Sequence, residues 1–370
     1  MAPKDGKNQL GLSLGQALEN YRTEHHIKQK DLADKLHVDE RTLRRWIKGQ
    51  IPQQLDELKR IADILELNYE HLGLSSSLYI PRTFEQIDEA IEQGWLYLQQ
   101  LRYVEGRAFV EKLVRDVSLQ VTSQDAHWLS RLARARHVAG HITSESSRTE
   151  NVPAAFQHYH EMENIARLLN DALLLNIALT YEGDMLRRQG HIDEAITYLE
   201  AACDTTSDAE ARGNTLQLLG RAFMAKRDIR GFENALAEAT ELSTAPHTGI
   251  TKGLYNLGAV YEEYGKNYGW VGQTEKGLAY LDMAEKHLPA TAHWGLVLKT
   301  ARSMALVRGG DITNGGKLAI EATALCYQTN NYRMLERVFT IERYLEEKAH
   351  EYGQVQNALR EALKGPVERI

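Results

Sequence analysis

Apolar residues in this chain recur at helical spacing, while the period-two alternation of Val, Ile and Thr that marks strands is almost absent. The seven prolines stand mostly at the seams between the apolar-periodic segments. With 370 residues, 43% of them hydrophobic, the chain has enough apolar surface to bury a core. We therefore predict an all-α protein of two or three domains.

The net charge and the cysteine content indicate the cellular compartment of the protein and the kind of partner that it can bind. The net charge is -7, so the whole molecule is not suited to coating a polyanion, although a local basic face is compatible with it. Cys203 and Cys326 are too few for a disulfide framework and lie in helical segments, so we expect two buried free thiols. The first residues lack the apolar run of a signal peptide, and no run of about 18 apolar residues occurs. We expect a cytoplasmic protein without a membrane partner.

Residues 13–73 predict a small domain of short helices, preceded by a flexible tail at residues 1–12. The helices are expected at Gly15–Glu24, Gln29–Leu36, Glu40–Lys48 and Gln53–Leu65, with a last turn at Tyr69–Leu72. The residues expected to cap, start or end them are Ser13, Asp39, Gly49 and Pro52. One small core is expected from apolar residues at helical spacing, namely Leu18, Leu32, Ala33, Leu36, Val38, Leu43, Ile47, Leu55, Leu58, Ile61, Ala62 and Leu65.

Only His37, Val38 and Asp39 separate the second predicted helix from the third, which forces a sharp angle typical of a helix-turn-helix. The run IKQKDLADKLHVDERTLRRWIKGQIPQQLDELKRIADILELNYEHL, residues 27–72, resembles the Xre/lambda-repressor-like helix-turn-helix family. Two positions depart from that family, since Ile47 stands where Glu is frequent and Asp39 where Ser or Thr is the commoner cap. Neither departure removes the chemistry that faces DNA.

The resemblance implies a role for each matching residue. In that family the third helix enters the major groove, and the N-terminus of the second helix meets the phosphate backbone. The DNA-binding residues implied are Glu40, Arg41, Arg44 and Arg45 at base edges, Lys28 and Gln29 at the backbone, and Lys48 beside them. Residues 28–48 carry seven basic and four acidic side chains, a local charge of +3. Two alternatives stay open: a merely solvated helix face, and an intact fold that no longer binds double-stranded DNA.

A short Ser-rich segment follows this domain. The sequence GLSSSLYIPR contains Pro81, which disfavours helix just before it. We therefore expect a linker at residues 74–82 and a second domain at residues 83–370.

The second domain repeats a pattern of paired amphipathic helices. Gly183, Gly220 and Gly258 recur at steps of 37 and 38 residues, each followed by apolar and small residues at fixed distances. The unit ALTYEGDMLRRQGHIDEAITYLEAACD resembles the tetratricopeptide (TPR) signature, and weaker pairs are expected at residues 84–121, 124–169, 294–328 and 332–364. The resemblance implies a right-handed helical solenoid with a concave groove, closed by the polar helix QVQNALREAL. The segment YGKNYGWVGQ, residues 264–273, is expected to be an extended loop.

The geometry of TPR arrays implies which side chains face the groove once the glycine of each first helix is fixed. The ligand-binding residues implied are Thr180, Asp184, Arg187, Arg188, Asn214, Gln217, Arg221, Lys252, Tyr255, Asn256 and Arg308. With Glu262 and Glu263 on the same face, five cations oppose three carboxylates, which favours a short peptide carrying a carboxylate or acidic side chains. The alternative for each single residue is an ordinary solvated or inter-repeat position.

An Xre-type head on a TPR body resembles the layout of the peptide-responsive quorum-sensing regulators called the RRNPP group. The resemblance implies a transcription regulator, a homodimer joined through its repeats, whose groove binds a short signalling peptide that modulates DNA binding. Two other readings stay open: a TPR scaffold for protein interactions, and a phage or antitoxin type of repressor controlled by a partner protein. A peptide sensor needs an enclosing superhelix, whereas a scaffold needs an open one.

Other chemistry is set aside on the sequence alone. His137, His141, His158 and His160 suggest a metal site, but no paired Cys or Glu is identified to complete it. The run GGDITNGGKL, residues 309–318, lacks the spacing of a phosphate-binding loop and reads as a turn between helices. No Ser or Cys stands in a nucleophile elbow, so we expect no enzyme activity and no cofactor.

Overall fold

The computed structural model describes residues 14–48, 55–65, 81, 83–120, 125–147, 152–246 and 248–363. Every regular element within these ranges is a helix, so the predicted all-α fold is confirmed. The N-terminal helices are α1 (Leu14–Glu24), α2 (Gln29–Lys35), α3 (Glu40–Ile47) and α4 (Leu55–Ile64). The following helices are α5 (Phe84–Gln99), α6 (Tyr103–Ser118), α7 (Ala126–Ser146), α8 (Val152–Leu169), α9 (Ala172–Arg188), α10 (Ile192–Cys203), α11 (Ala209–Ala225), α12 (Ile229–Leu242), α13 (Leu257–Trp270), α14 (Thr274–His287), α15 (Ala292–Arg308), α16 (Ile312–Thr329) and α17 (Tyr332–Leu363).

Helices α1 to α4 form the predicted helix-turn-helix with one small core. The turn between α2 and α3 is as short as predicted, and His37 adopts a left-handed backbone with φ 55° to make it. Asp39 caps α3 as predicted, because its Oδ1 accepts the Thr42 backbone N–H at 2.7 Å. The predicted core residues found buried are Leu18, Leu32, Ala33, Leu36, Leu43, Leu58, Ile61, Ala62 and Leu65. Val38 and Ile47 are only partly buried.

Several expectations for this region lie outside the described residues. They concern Ser13, Leu55 as a core side chain, Gly49, Pro52, the turn at Tyr69–Leu72, the tail at 1–12, and the linker residues 74–80 and 82. The domain limits therefore stay predictions. From the second domain, Val104 and Ala108 of α6 pack against the helix-turn-helix core.

Helices α5 to α16 stack as six antiparallel pairs, in the helical solenoid expected from the repeats. The glycines bring the two helices of a pair together: a Cβ at Gly183 would lie 2.8 Å from Leu199 Cγ and 3.2 Å from the Ala195 carbonyl oxygen. Gly220 packs in the same way on Leu236, sixteen residues later. Both predicted buried thiols, Cys203 and Cys326, are found free and buried.

The register predicted for the third clear repeat is wrong. Gly265, not Gly258, holds the position equivalent to Gly183 and Gly220, since a Cβ there would lie 2.7 Å from Leu281 Cγ, again sixteen residues later. Gly258 instead approaches the C-terminal end of α14, where a Cβ would lie 2.8 Å from the His287 carbonyl carbon. The segment at residues 264–273 is not an extended loop, because α13 continues to Trp270. On one face of this helix the rings of Tyr264 and Tyr268 stack with their centroids 5.9 Å apart.

The last predicted pair, at residues 332–364, is also wrong. One continuous helix, α17, runs for 32 residues from Tyr332 to Leu363. No helix in the described part of the chain combines the length and the apolarity needed to span a membrane.

The solenoid curls until its two ends meet. Helix α17 contacts α7, and α15 contacts α5. Buried polar contacts seal this closure, since Asn331 Nδ2 donates to the Tyr103 hydroxyl at 3.0 Å and His293 Nδ1 lies 3.3 Å from the same oxygen. Lys252 Nζ adds an ion pair to Glu92 at 2.6 Å across 160 residues of sequence. The second domain is therefore an enclosing superhelix rather than an open concave surface.

Candidate functional site

The first candidate surface is helix α3 with the N-terminus of α2. On α3, Leu43 and Trp46 face the core. The opposite face holds the predicted basic residues, and the exposed side chains there are Arg41, Arg44, Arg45 and Lys48. The sequence thus places its cations outward by the same periodicity that buries its apolar residues.

Local contacts orient several of these side chains. Arg44 Nη2 donates to Glu40 Oε2 at 3.1 Å, and Arg45 Nη2 donates to Thr42 Oγ1 at 3.1 Å. Arg41 makes neither of these contacts. The Thr42 backbone N–H lowers the pKa of Asp39, so this cap stays ionised at neutral pH.

At the start of α2, Lys28 is exposed and Gln29 partly exposed. The Lys28 backbone N–H donates to Asp31 Oδ2 at 3.2 Å, which closes the first turn. Both predicted backbone-contacting residues therefore stand at a helix N-terminus, where backbone N–H groups favour an anion such as phosphate.

The second candidate site is the chamber enclosed by the superhelix. Its volume is about 60 Å³, room for a few water molecules. The polar and charged side chains that line it come from five or more helices and include His141, Glu145, Tyr159, Tyr181, Asp184, Asn214, Gln217, Arg221, Glu262, His293, Arg333 and Arg337. A helical solenoid is stabilised by an apolar interior. The many polar and charged side chains of this lining are therefore not explained by stability alone.

One ion network joins α7, α9 and α17 in this chamber. Arg333 Nη1 donates to Glu145 Oε1, and Arg333 Nη2 lies 3.8 Å from Asp184 Oδ2. Arg187 Nη2 contacts the other Asp184 oxygen at 2.8 Å. Burial alone would raise the pKa of Asp184, but Arg187 and Arg333 hold that pKa well below its usual range. Both carboxylates are therefore ionised and matched with arginines.

A second network joins α11, α13 and α17. Arg221 Nε donates to Glu263 Oε1 at 2.6 Å, and Lys266 Nζ donates to Glu263 Oε2 at 2.5 Å. Arg337 Nη1 lies 3.6 Å from Glu262 Oε1 but makes no hydrogen bond with any described residue. Burial raises the pKa of Glu262 above its ordinary value, while Lys266 and Arg337 act in the opposite direction.

Two wider cavities, here called vestibules, share Arg337 with the wall of the chamber and have volumes of about 600 Å³ and about 440 Å³, in the range of ligand-binding pockets. Arg187 and Arg337 line both of them. Arg188 also lines the larger one, and its side chain is only 6% exposed, yet its Nη2 donates no hydrogen bond to any described residue. The basic side chains lining the chamber and vestibules are Arg187, Arg188, Arg221, Arg227, Lys266, Arg333, Arg337 and Arg343, against five carboxylates. The chamber and the vestibules are therefore suited to an anion.

The structure brings together six of the predicted groove residues and separates the other five. Those that line the chamber or a vestibule are Asp184, Arg187, Arg188, Asn214, Gln217 and Arg221. Thr180 is buried and shares a hydrogen bond of 2.7 Å with Thr215. Arg308 stacks over the rings of Trp270 and Tyr344.

The remaining three lie near the start of α13, where the observed repeat register differs from the predicted one. Lys252 pairs with Glu92, and the buried Tyr255 hydroxyl donates to the Ala239 carbonyl oxygen at 2.5 Å. Asn256 caps α13, with its Oδ1 accepting the Ala259 backbone N–H at 3.0 Å, and its Nδ2 donates to the Gly253 carbonyl oxygen. Their polar groups are thus engaged locally.

The sequence analysis missed the residues that complete the site. Arg333 and Arg337 stand four residues apart and so share one face of α17. This spacing is visible in the sequence. Lys266 follows Gly265 directly and would have been assigned to the groove in the correct register. Glu145 on α7 offered no such signal, because its partner lies 188 residues away.

These observations define a helix-turn-helix protein with a closed helical solenoid behind its DNA-facing domain. Residues 18–72 match the family described as Helix-turn-helix, HTH_3. The chain therefore carries an Xre-type helix-turn-helix DNA-binding domain at its N-terminus, as the resemblance implied. No curated protein matches the chain.

Several solved structures are similar at low identity. PlcR of Bacillus thuringiensis, in complex with the peptide PapR7 and DNA, is 15% identical over 74% of this chain and 95% of its own, with a TM-score of 0.38. BtubC (BKLC) of P. vanneervenii is 11% identical over 73% and 93%, with a TM-score of 0.37. The apo form of the competence regulator ComR of Streptococcus vestibularis is 15% identical over 84% and 97%, with a TM-score of 0.37. Scores this low leave the function of this chain to be argued from its own residues.

Proposed function

We propose that this protein is a cytoplasmic, homodimeric transcription regulator that binds a DNA operator through α3 and is controlled by a short signalling peptide in its central cavity. The observation that carries the proposal is the closure of the superhelix around a basic chamber. A scaffold for partner proteins needs an open concave face, whereas contact between α17 and α7 encloses this one. The layout also resembles that of the peptide-responsive RRNPP regulators.

The DNA half of the proposal rests on α3. Arg41, Arg44 and Arg45 are exposed on the face opposite the core, and an arginine there can bind guanine O6 and N7 with two hydrogen bonds. Lys28 and Gln29 at the start of α2 contact the phosphate backbone of the DNA. A dimer presents two such helices, so the operator is expected to hold two half-sites about one helical turn apart or a multiple of that.

The peptide half rests on the vestibules. A peptide with a free C-terminal carboxylate or acidic side chains gives Arg188 and Arg337 the hydrogen-bond acceptors that the described residues leave partly unfilled, with Arg187 beside them in the same wall. Because Arg337 and Arg333 belong to α17, a ligand bound to them also acts on the helix that closes the superhelix. Such a ligand changes the equilibrium between closed and open forms only as far as it binds them differently.

Contacts within the chain connect the cavity to the DNA-binding domain. Val104 and Ala108 tie the helix-turn-helix core to α6, and α6 contacts the closing region through Tyr103 and its partner Asn331. A change in closure therefore alters the support under the DNA-binding domain. By linkage, peptide binding and operator binding then affect each other by the same factor.

The testing experiment selects bound DNA fragments with the purified full chain at about 150 mM salt, where nonspecific phosphate binding is suppressed. Enrichment of a paired half-site supports the regulator. Absence of enrichment with a folded, monodisperse protein leaves either an effector requirement or the scaffold function, and native cell extract added to the same selection separates the two.

The peptide is tested with the selected operator as probe. Pools of short peptides with free C-terminal carboxylates are compared with the same pools amidated, and the carboxylate pool is expected to shift operator affinity more strongly. Arg337→Gln should weaken this response by about tenfold or more, since a hydrogen bond to a charged group contributes about 1.5 to 3 kcal/mol. Arg302→Gln is the matched control, because Arg302 pairs with Asp282 and Glu285 and lines none of the three cavities. A response only to a partner protein in extract would favour the phage or antitoxin type of repressor.

A further inference from the structure

Three metal-ligating side chains converge between α8 and α9, apart from the three cavities of the proposed peptide site. His160 Nδ1 lies 3.5 Å from Glu163 Oε2 and 3.2 Å from Glu182 Oε1. Each residue offers one donor atom, and the three donors lie within 4.8 Å of one another. His160 and Glu163 stand three apart on α8, so they share one helix face, and Glu182 meets them from α9.

The neighbouring arginine binds only the outer oxygen of Glu163. Arg167 donates both Nε, at 2.9 Å, and Nη2, at 2.6 Å, to Glu163 Oε1. The other oxygen, Oε2, is the one that faces His160. Arg167 thus fixes the orientation of Glu163, as partners behind a metal ligand do in known sites.

Glu182 supplies a second observation. Its side chain is fully buried, and its Oε2 accepts no hydrogen bond from any described residue. A buried polar atom without a partner costs free energy that folding alone does not explain. Two carboxylates face one arginine, so a cation is the missing component.

We propose that His160, Glu163 and Glu182 bind one divalent transition-metal cation of the Zn²⁺ class. Donors about 2.1 Å from a tetrahedral ion are about 3.4 Å from one another, close to the two distances found from His160 Nδ1. One imidazole with two carboxylates suits Zn²⁺ and its first-row neighbours better than Ca²⁺ or Mg²⁺. His160 is about half exposed, which gives the ion a path from solvent.

The bound cation would join α8 to α9 behind the wall of the chamber. Tyr159 and Tyr181, which line the chamber, are the sequence neighbours of His160 and Glu182, and their rings stack 5.1 Å apart. The site therefore braces the two helices that hold these rings. This role is independent of the proposed peptide response and goes beyond it.

Calorimetric titration of the chelator-treated full chain with Zn²⁺ alone tests the proposal, with Co²⁺ and its visible absorption spectrum as a second probe. We expect one cation per chain, a rise in the thermal midpoint on loading, and at least a tenfold loss of affinity in Glu182→Gln and His160→Ala. His191→Ala is the matched control, since His191 forms an exposed pair with Glu194 on α10, and it should bind as the wild type does.

His160→Ala keeps the test decisive if Glu182→Gln fails to fold, because the His160 side chain is half exposed. Zn²⁺ binding that survives unchanged in His160→Ala, or that is lost equally in His191→Ala, would place the ion elsewhere and overturn the proposal. Absence of binding to the wild-type chain would overturn it as well. None of these outcomes bears on operator selection, so the two proposals fail separately.

Discussion

Arg333, in the first turn of α17, donates a hydrogen bond to Glu145 near the end of α7, 188 residues earlier in the chain. Both side chains are largely buried. Burial alone would raise the pKa of Glu145, but Arg333 lowers it below its ordinary value, so the pair is ionised. This ion pair joins the two ends of the superhelix and lies in the wall of the chamber.

Removing one partner of this pair should destabilise the solenoid strongly. Arg333→Gln leaves Glu145 buried without its cation, and breaking a buried pair in this way costs about 3 to 5 kcal/mol. Urea unfolding followed by circular dichroism measures the loss. The double variant Glu145→Gln with Arg333→Gln should recover part of it, because the uncompensated charge of Glu145 is removed. Arg343→Gln, at an exposed position of α17, is the control and should stay within about 0.5 kcal/mol of the wild type. Equal losses in all three proteins would show that the closure does not depend on this pair.

Arg41→Ala and Arg45→Ala should each weaken binding to the selected operator by about 1 to 3 kcal/mol while leaving the fold intact. Each removes one candidate for a two-pronged contact to guanine. A gel-shift titration against the operator and a scrambled duplex measures the loss and its specificity. Arg22→Ala provides the control, since Arg22 on α1 pairs with Glu19 and is not among the predicted contacts. Unchanged operator affinity in both α3 variants would remove the readout assignment.

The sequence predicts the helix pairs well where one glycine marks the contact between them. Gly183 and Gly220 are such cases, and six of the predicted groove residues, in or beside their helices, line the chamber or a vestibule. In α13 two glycines, Gly258 and Gly265, stand two helical turns apart, and the step of 38 residues from Gly220 favours Gly258. The choice depends on Leu281 in the next helix, a contact that periodicity does not reveal.

Closure of the superhelix was beyond prediction for a related reason. The curvature of a solenoid is the sum of small rotations between successive repeats, and no single sequence spacing fixes them. The pairing of Arg333 with Glu145 depends on that sum, so neither residue could be assigned to the chamber from α17 or α7 alone.

Acidification should destabilise the protein through its buried histidines. Burial, followed by the charges of Lys252 and Arg134, lowers the pKa of His137 to about 3. Because this pKa lies below the unfolded value of about 6.5, the stabilisation is complete above pH 6.5 and is lost as the pH falls toward 3. His137→Phe keeps the ring contacts and removes this titration.

The difference in unfolding free energy between wild type and His137→Phe should change by about 1.4 kcal/mol per pH unit below pH 6.5, in the sense that the wild type loses stability on acidification. Urea unfolding at pH 7.5, 6.0 and 5.0 measures it. The buried His141 and His293, whose pKa values are also lowered by burial, are present in both proteins, so their burial contributes to both. A difference that stays constant across this range would contradict the assignment.

The proposed homodimer has a candidate surface on the second half of α17. Tyr352, Val355 and Leu359 are each more than half exposed and stand three and four residues apart, so they form one apolar stripe on the helix. An exposed stripe of this kind is typical of a helix that packs against another copy. Val355→Glu combined with Leu359→Glu should therefore shift the protein toward monomer, measured by light scattering after size exclusion, and weaken binding to a paired half-site. Ile320→Glu is the matched control, because Ile320 on α16 is 73% exposed and lies outside the stripe. A dimer that persists in the double variant would place the interface on another face of the solenoid.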